Sequence, residues 1–479
     1  MDGPIRVAII GGGLGGLTLA NALLHQPSAS EHIDLDHSGF EFHVYEAKPS
    51  FSERGAAVGL NSSAKKALKY CVPDARELLE KAGGVVMAST LMMIGSGEHA
   101  GAEAFNSERW SQNATNPDDE KTTVVHRASL LKALKSTLDP VIENQDILHT
   151  NKRVSRITTI QNDEVQLVFE DGQVETFDAV IGADGYRGVV RSYVLGDKAE
   201  EEAVSASGFW DCRNMVSMET ANRVLLRPLR SSLLARAATD DREKVENYFG
   251  KPRQFGWAGD SGFIMHDVCE SGTMVQCVMS SIEKEPWKER KRLLTREFLE
   301  HHMRDWNDGP VFSAMLDLMF TREQDGQCEL YGWSQWHHKK TSTYNNGRVC
   351  IVGDAAHATT PWQGSGVGMA IEDAMILSHL LWNISSRSSI HAAFETFTEV
   401  RKERCQHIIE SSEGTGKIFC AQEPGLSHQD PTTRAVSLDP KKMMGALLNR
   451  WDKIRALSHD DHRSDALARL QGKIGKTKA

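Results

Sequence analysis

At 479 residues the chain exceeds what one hydrophobic core usually fills, so two interlocked domains and room for a large buried ligand are expected. Its 40% hydrophobic and 25% charged residues exclude a fibrous or disordered chain. With 55 Lys and Arg against 65 Asp and Glu the net charge is −10, which argues against a general nucleic-acid binder.

The chain opens MDGPIRVAIIGGG, entering a strand almost at once without the charged and apolar regions of a signal peptide. Cys71, Cys212, Cys269, Cys277, Cys328, Cys350, Cys405 and Cys420 form no C-x-x-C pair, which disfavours a zinc knuckle or a redox dithiol. Buried thiols in a reducing compartment, the cytosol, are expected. The longest apolar candidate, AMILSHLLWNI, is interrupted by His379 and falls short of the roughly 18 residues of a membrane span, so it reads as a core helix.

In chain order, IRVAII (5 to 10) is a buried strand, followed by glycines and the helical stretch LGGLTLANALLH, a β-turn-α unit. Residues 27 to 40 are polar and turn-rich, a surface loop, and FHVYEA is a second strand of the same parallel sheet. Helical spacing covers 62 to 82, VMASTLMMI (86 to 94) reads as a strand, and polar residues 96 to 120 read as an excursion away from the core. HRASLLKALKSTL resumes a helix. EVQLVF (164 to 169) and VETFDAVI (174 to 181), joined by EDGQ, form a hairpin that leads into the turn GADG. From about 196 to 335, strands rich in Met, Trp and Phe suit a separate antiparallel sheet. A third buried strand, RVCIVG, then runs through a glycine-rich loop into a long helix. From 441 onward ten Lys or Arg face four Asp, and pieces such as LLNRWDKIRAL predict helices that dock with a solvated basic face.

The fold class is therefore α/β: a discontinuous Rossmann-like nucleotide domain (1–85, 121–195 and 336–420), an inserted, mainly antiparallel substrate domain (86–120 and 196–335), and a C-terminal helical region, 421–479.

Gly11, Gly13 and Gly16 make G-x-G-x-x-G between a strand and a helix, the pattern of a tight turn that lets backbone approach a pyrophosphate at a helix N-terminus. Glu46 closes the second strand, where a carboxylate can accept from ribose hydroxyls; it lies 30 residues beyond Gly16 instead of the usual roughly 20. The 27 to 40 loop absorbs the difference. These residues do not distinguish FAD from NAD.

Two further segments make that choice. DAVIGADGYRGVVR (178 to 191) and GRVCIVGDAAHATTPWQGSGVGMAIEDA (347 to 374), in this order after the glycine turn, resemble the signatures of the flavoprotein aromatic hydroxylases of the para-hydroxybenzoate and salicylate hydroxylase type. The similarity runs from about 5 to 415, is only topological between 196 and 335, and is nearest to fungal salicylate-hydroxylase-like enzymes and those that modify polyketide phenols. It implies FAD as cofactor, NADPH or NADH as co-substrate, and a small aromatic substrate that receives one atom of O2. It implies Arg127 near the FAD pyrophosphate or ribose, Asp354 on a ribityl hydroxyl, and Asp184 in FAD and NAD(P)H binding. A surface arginine, a helix cap and an Asp-Gly turn are the respective alternatives.

Pro361 and the run Gly364, Ser365, Gly366, Val367, Gly368 would pass the flavin ring, small residues leaving O2 access to its C4a carbon, with a helix N-terminus aimed at the pyrimidine oxygen. Gly55 and Gly59 in GAAVGLNSSA are looser candidates beside the flavin. The implied chemistry is hydroxylation of a phenol through a flavin C4a-hydroperoxide, with dearomatisation or decarboxylative hydroxylation as variants. The cofactor does the difficult chemistry; the protein must bind, orient and dry the site. Arg213, His266 and Tyr248 are the candidates for substrate handling; against them stand an Arg213–Asp211 surface pair, a satisfied sheet histidine and a core tyrosine. Where bacterial salicylate hydroxylases often carry Tyr-Pro, this chain reads His266-Asp267, so salicylate itself is not implied. His301-His302 and His337-His338, read as strand neighbours facing opposite ways, give no metal site. An epoxidase, a Baeyer-Villiger-like oxygenase or a reductase on the same scaffold remains open, as does a flavin-binding regulator without turnover.

Overall fold

The computed structural model describes residues 3–25, 40–52, 56–111, 116–139, 146–322, 329–431 and 436–477. The loop expected before Phe40, Gly55 and Cys328 lie outside these.

Two sheets organise the chain. The first has six strands, in the order Asn345–Asn346, Val349–Ile351, Ala179–Gly182, Ile5–Ile10, Phe40–Tyr45 and Leu148–His149. All pairings are parallel except that of Asn345–Asn346. Strands buried on both faces need continuous apolar residues, and IRVAII and AVIG supply them. Helices Leu14–Leu24 and Gly366–Trp382 pack on one another beside this sheet, their buried residues merging with its core.

The second sheet has eight strands, ordered Lys291–Leu294, Leu330–His337, Ser205–Ser217, Met274–Ile282, Gly262–Cys269, Gln254–Gly259, Thr90–Ile94 and Glu103–Asn106. It is antiparallel except where Gln254–Gly259 runs parallel to Thr90–Ile94. Its outer face is a separate core of Trp210, Trp257, Ile264, Met279 and Phe312.

Several sequence expectations need correction. The 86 to 94 run breaks in two: Val85–Val86 joins a small sheet with Thr123–His126, and Thr90–Ile94 joins the large one. The polar stretch after it does not leave the core, because Glu103–Asn106 forms the edge of the large sheet and buries Ala104 and Phe105. The second run of the 164 to 181 hairpin also breaks: Val174–Phe177 pairs with Val165–Phe169, which Val154–Thr159 joins as a third strand, while Ala179–Gly182 belongs to the parallel sheet. His301 and His302 lie on the helix Arg296–His302, not on a strand. The C-terminal helices Pro440–Arg455 and His459–Thr477 dock through Met443, Leu447, Ile454, Ala466 and Leu470, all buried. Among the described residues no helix is long and apolar enough to cross a membrane.

Candidate active site

A cavity of about 480 Å3 runs between the two sheets, within the range of roughly 300–1,000 Å3 of sites for small molecules and cofactors. One end is the glycine turn. Gly11 has φ +111°, and a Cβ there would lie 2.3 Å from the Ala183 carbonyl oxygen; a Cβ on Gly16 would lie 2.0 Å from the Gly11 carbonyl oxygen. Any side chain at either position would break the turn. Gly13 caps the helix Leu14–Leu24 and, with Leu14 and Gly15, lines the cavity, so the positive end of this helix opens onto it. Glu46 braces the turn from the next strand: Gly12 N–H donates to its Oε2 at 2.9 Å and Lys48 N–H to its Oε1 at 2.8 Å.

Arg127, at the start of helix Arg127–Ser136, and Gly59 also line the cavity. So does Asp354, an exposed side chain at the N-terminal end of the short helix Asp354–His357. Pro361, Gly364, Gly366 and Val367 form the facing wall, where the helix Gly366–Trp382 brings a second N-terminus, without an acidic residue in its first turn, to the same space. Gly364 is left-handed, at φ +61°. Gly368 instead faces the neighbouring helix, where a Cβ would meet that of Ala64 at 3.1 Å.

Asp184 is placed differently from its neighbours. Ala183 and Gly185 line the cavity, while the Asp184 carboxylate accepts from Val190 N–H at 3.1 Å and caps the helix Val189–Leu195. Burial pushes this carboxyl up to about 6.

The inner face of the large sheet is the floor. Strand alternation turns Asp211 and Arg213, Phe263, Met265 and Asp267, and Gln276, Val278 and Ser280 toward the cavity. Arg213 opens onto it with Nε 2.8 Å from Asp211 Oδ1, so the pairing weighed as an alternative and the position on the cavity hold together. Two expectations are corrected here. His266 points to the opposite face: it is 2% exposed, stacks on Phe255 at 4.8 Å, and its Nε2 accepts from Trp257 Nε1–H at 3.4 Å. Burial holds it down at about 3, a neutral core histidine. Tyr248 is also a core residue, donating to Glu103 Oε2 at 2.6 Å away from the cavity.

Sequence reasoning missed Asp267, Gln254, Gln276 and Trp362 on the floor and wall, and Trp451, Ile454 and Arg455, which the Pro440–Arg455 helix brings to the cavity. Period-two alternation puts Met265 and Asp267 on the face opposite His266, but does not say which of the two faces meets the cavity.

His357, Asp373 and Cys405 place possible metal ligands within 4.8 Å of one another. The Asp373 carboxylate is already committed, Oδ1 to Arg401 Nε at 2.8 Å and Oδ2 to His357 and Gly353 N–H, so a cation there would meet a guanidinium. This cluster is structural.

The donor set suits a dinucleotide with a flavin ring: two helix N-termini and an arginine for phosphate and a reduced ring, a carboxylate for a polyol, and a small-residue wall. Comparison with known proteins agrees. Residues 278–412 match the family model described as FAD binding domain. The chain is 28% identical over 430 residues to a 6-methylsalicylate 1-monooxygenase of Aspergillus terreus, covering 87% of this chain and 83% of that one. It is 26% identical over 467 residues to an FAD-dependent monooxygenase of Gibberella moniliformis, covering 93% and 92%. Its fold superposes on a salicylate hydroxylase solved as a substrate complex with a TM-score of 0.72 at 21% identity, over 97% of this chain and 98% of that one.

Proposed function

We propose that this chain, which carries an FAD binding domain and is similar along most of its length to fungal FAD-dependent monooxygenases, inserts one oxygen atom from O2 into a phenolic ring at the expense of NAD(P)H. The observation that carries this reading is the single cavity that joins the glycine turn, Arg127, Asp354 and the Pro361–Val367 wall to a floor of aromatic, thioether and paired polar side chains. We assign residues 1–85, 121–195 and 336–420 to the cofactor and 86–120 with 196–335 to the substrate, and place the enzyme in the cytosol.

Bound FAD supplies hydride acceptance and oxygen activation. The protein does the rest. Gly13, Leu14 and Gly15 offer backbone N–H groups to phosphate, Arg127 a guanidinium, and Asp354 an acceptor for a polyol hydroxyl. The N-terminus of helix Gly366–Trp382, which lines the cavity, would stabilise negative charge on a flavin ring held beside it. Met92, Phe105, Phe263 and Met265 exclude water from the substrate side.

Purified protein should be yellow, release about one intact FAD per chain on denaturation, and oxidise NAD(P)H faster when a phenol is added. Colourless protein that takes up no added FAD contradicts the reading.

A further inference from the structure

The floor of the cavity contains a buried carboxylate held by two oriented amides. Asp267 is 2% exposed, yet it faces the cavity. Its Oδ2 accepts from Gln254 Nε2 at 2.8 Å and its Oδ1 from Gln276 Nε2 at 3.2 Å. Each glutamine is itself oriented, because Gln254 Oε1 accepts from the Thr90 hydroxyl at 3.2 Å and Gln276 Oε1 from Ala57 N–H at 2.8 Å. Both amides are therefore obliged to present N–H to Asp267. An ionised carboxylate has about four acceptor positions, so acceptor capacity remains on the cavity side. A fully apolar residue would have avoided the cost of burying this charge.

The nearby cation does not leave the floor positive. Arg213, whose charge reaches Asp267, is engaged by Asp211 through Nε at 2.8 Å and Nη2 at 3.4 Å, and Asp211 is held from behind by Gln335 Nε2 at 3.0 Å. With Asp267 ionised, the floor carries two carboxylates and one guanidinium. Of the other charged groups around the cavity, Arg455 sits 2.7 Å from Glu120 and over the Trp110 ring, and Arg127 and Asp354 belong to the end assigned to the cofactor.

We propose that Asp267 accepts the phenolic hydroxyl of the substrate, and that this floor selects an uncharged phenol or polyphenol over a hydroxybenzoate. The proposal rests on the monooxygenase reading and names the substrate class of that site. A neutral phenol donates to the acceptor capacity that the two glutamines leave on Asp267; as the proton moves from the phenol oxygen to the Asp267 carboxylate, the electron pair of the O–H bond stays on the phenol oxygen and raises the ring's electron density. A hydroxybenzoate would instead bring a second negative charge to a surface whose cation is already paired. Burial supports the acid–base role, pushing Asp267 up to about 6 against the two glutamines and Arg213. Two thiols that sense this charge, Cys269 and Cys277, are themselves pushed up by burial.

The test uses FAD-loaded enzyme and two compounds that differ by one carboxylate, m-cresol and 6-methylsalicylate, with binding followed by the perturbation of flavin absorbance near pH 7.5, a value about 1.5 units above the Asp267 midpoint. Wild type should bind m-cresol roughly tenfold or more tightly than 6-methylsalicylate, and Asp267→Asn should erase or invert that preference. In wild type, m-cresol-stimulated NAD(P)H oxidation should fall as pH drops through about 6, and this acid limb should be missing in Asp267→Asn. FAD-loaded wild type that prefers 6-methylsalicylate, or that responds to neither compound, overturns the proposal without any variant. So does an unchanged preference in a folded Asp267→Asn protein. Failure to bind FAD overturns the monooxygenase reading itself, and is separately visible in the absorbance spectrum before any phenol is added.

Discussion

His357 Nε2 lies 2.5 Å from Asp373 Oδ2, with both side chains at most 1% exposed. The pair sits directly behind the turn that carries Asp354, because the same Asp373 oxygen accepts from Gly353 N–H at 2.9 Å. Arg401 completes the cluster by bridging Asp373 and Glu372 at 2.8 and 2.7 Å, and Arg404 adds a second contact to Glu372 at 2.8 Å. A buried, ion-paired network thus fixes the backbone position of a residue whose side chain faces the cavity.

Removing the Asp373 charge takes away the carboxylate that His357 and the Arg401 Nε share, while Arg401 keeps only Glu372 as its carboxylate partner. Asp373→Asn should destabilise the fold by about 3–5 kcal/mol, visible as a lowered thermal midpoint. The pH dependence has a definite sign. Burial alone would lower His357, but the Asp373 carboxylate overcomes it and holds His357 well above 6.5. The stability it contributes is complete below 6.5 and is lost as pH rises through the raised value. Burial alone would raise Asp373, but His357 and Arg401 hold it below 3.8, so its contribution is complete above 3.8 and is lost as pH falls through the lowered value. Thermal midpoints of wild type should decline on both sides of that window, and His357→Asn should lose the alkaline decline.

Asp354→Ala should weaken FAD retention while leaving the fold intact, since the side chain is exposed to the cavity. A hydrogen bond from a polyol hydroxyl to a carboxylate contributes about 1.5–3 kcal/mol, so the dissociation constant should rise by roughly one to two orders of magnitude. Equilibrium dialysis against free FAD measures it. Unchanged affinity would make Asp354 a cap for its own short helix.

Gly366→Val should separate oxygenation from cofactor binding. A Cβ at Gly366 meets only Thr359 Cγ2 at 3.7 Å, an ordinary contact, so the backbone tolerates a side chain and the two extra methyl groups crowd the cavity wall. FAD content should stay near wild type while oxygenated product per NAD(P)H consumed falls sharply. Product yield and NAD(P)H consumption measured together check this.

The cofactor end of the site was legible in the sequence because its constraints are local. Gly16 is demanded by the Gly11 carbonyl oxygen 2.0 Å from where its Cβ would lie, within one strand-turn-helix unit, Gly11 holds a φ of +111° that favours glycine, and the buried parallel strands are continuous apolar runs. The substrate end was not, because its residues come from strands whose pairing is long-range. His266 and Asp267 are neighbours in sequence, and only the register of Phe255 opposite His266 and of Gln276 opposite Asp267 decides which one faces the cavity. A histidine drew attention as a chemical group, while the adjacent aspartate proved to be the one on the floor. The contribution of Trp451 and Arg455 was hidden for a related reason: amphipathic spacing predicts that a helix docks, but not onto which surface. The break of the 86 to 94 run into two sheets likewise depends on partners far away in sequence.

The central claim is that a phenolic substrate acquires its oxygen from O2 at this cavity. The direct measurement is turnover of an accepted phenol under isotopically labelled O2 in ordinary water, with the product mass determined. The account predicts one labelled oxygen atom per product molecule, none in a control with labelled water and ordinary O2, and no product without NAD(P)H. Label that enters from water, or a product that gains no oxygen, would contradict the monooxygenase assignment.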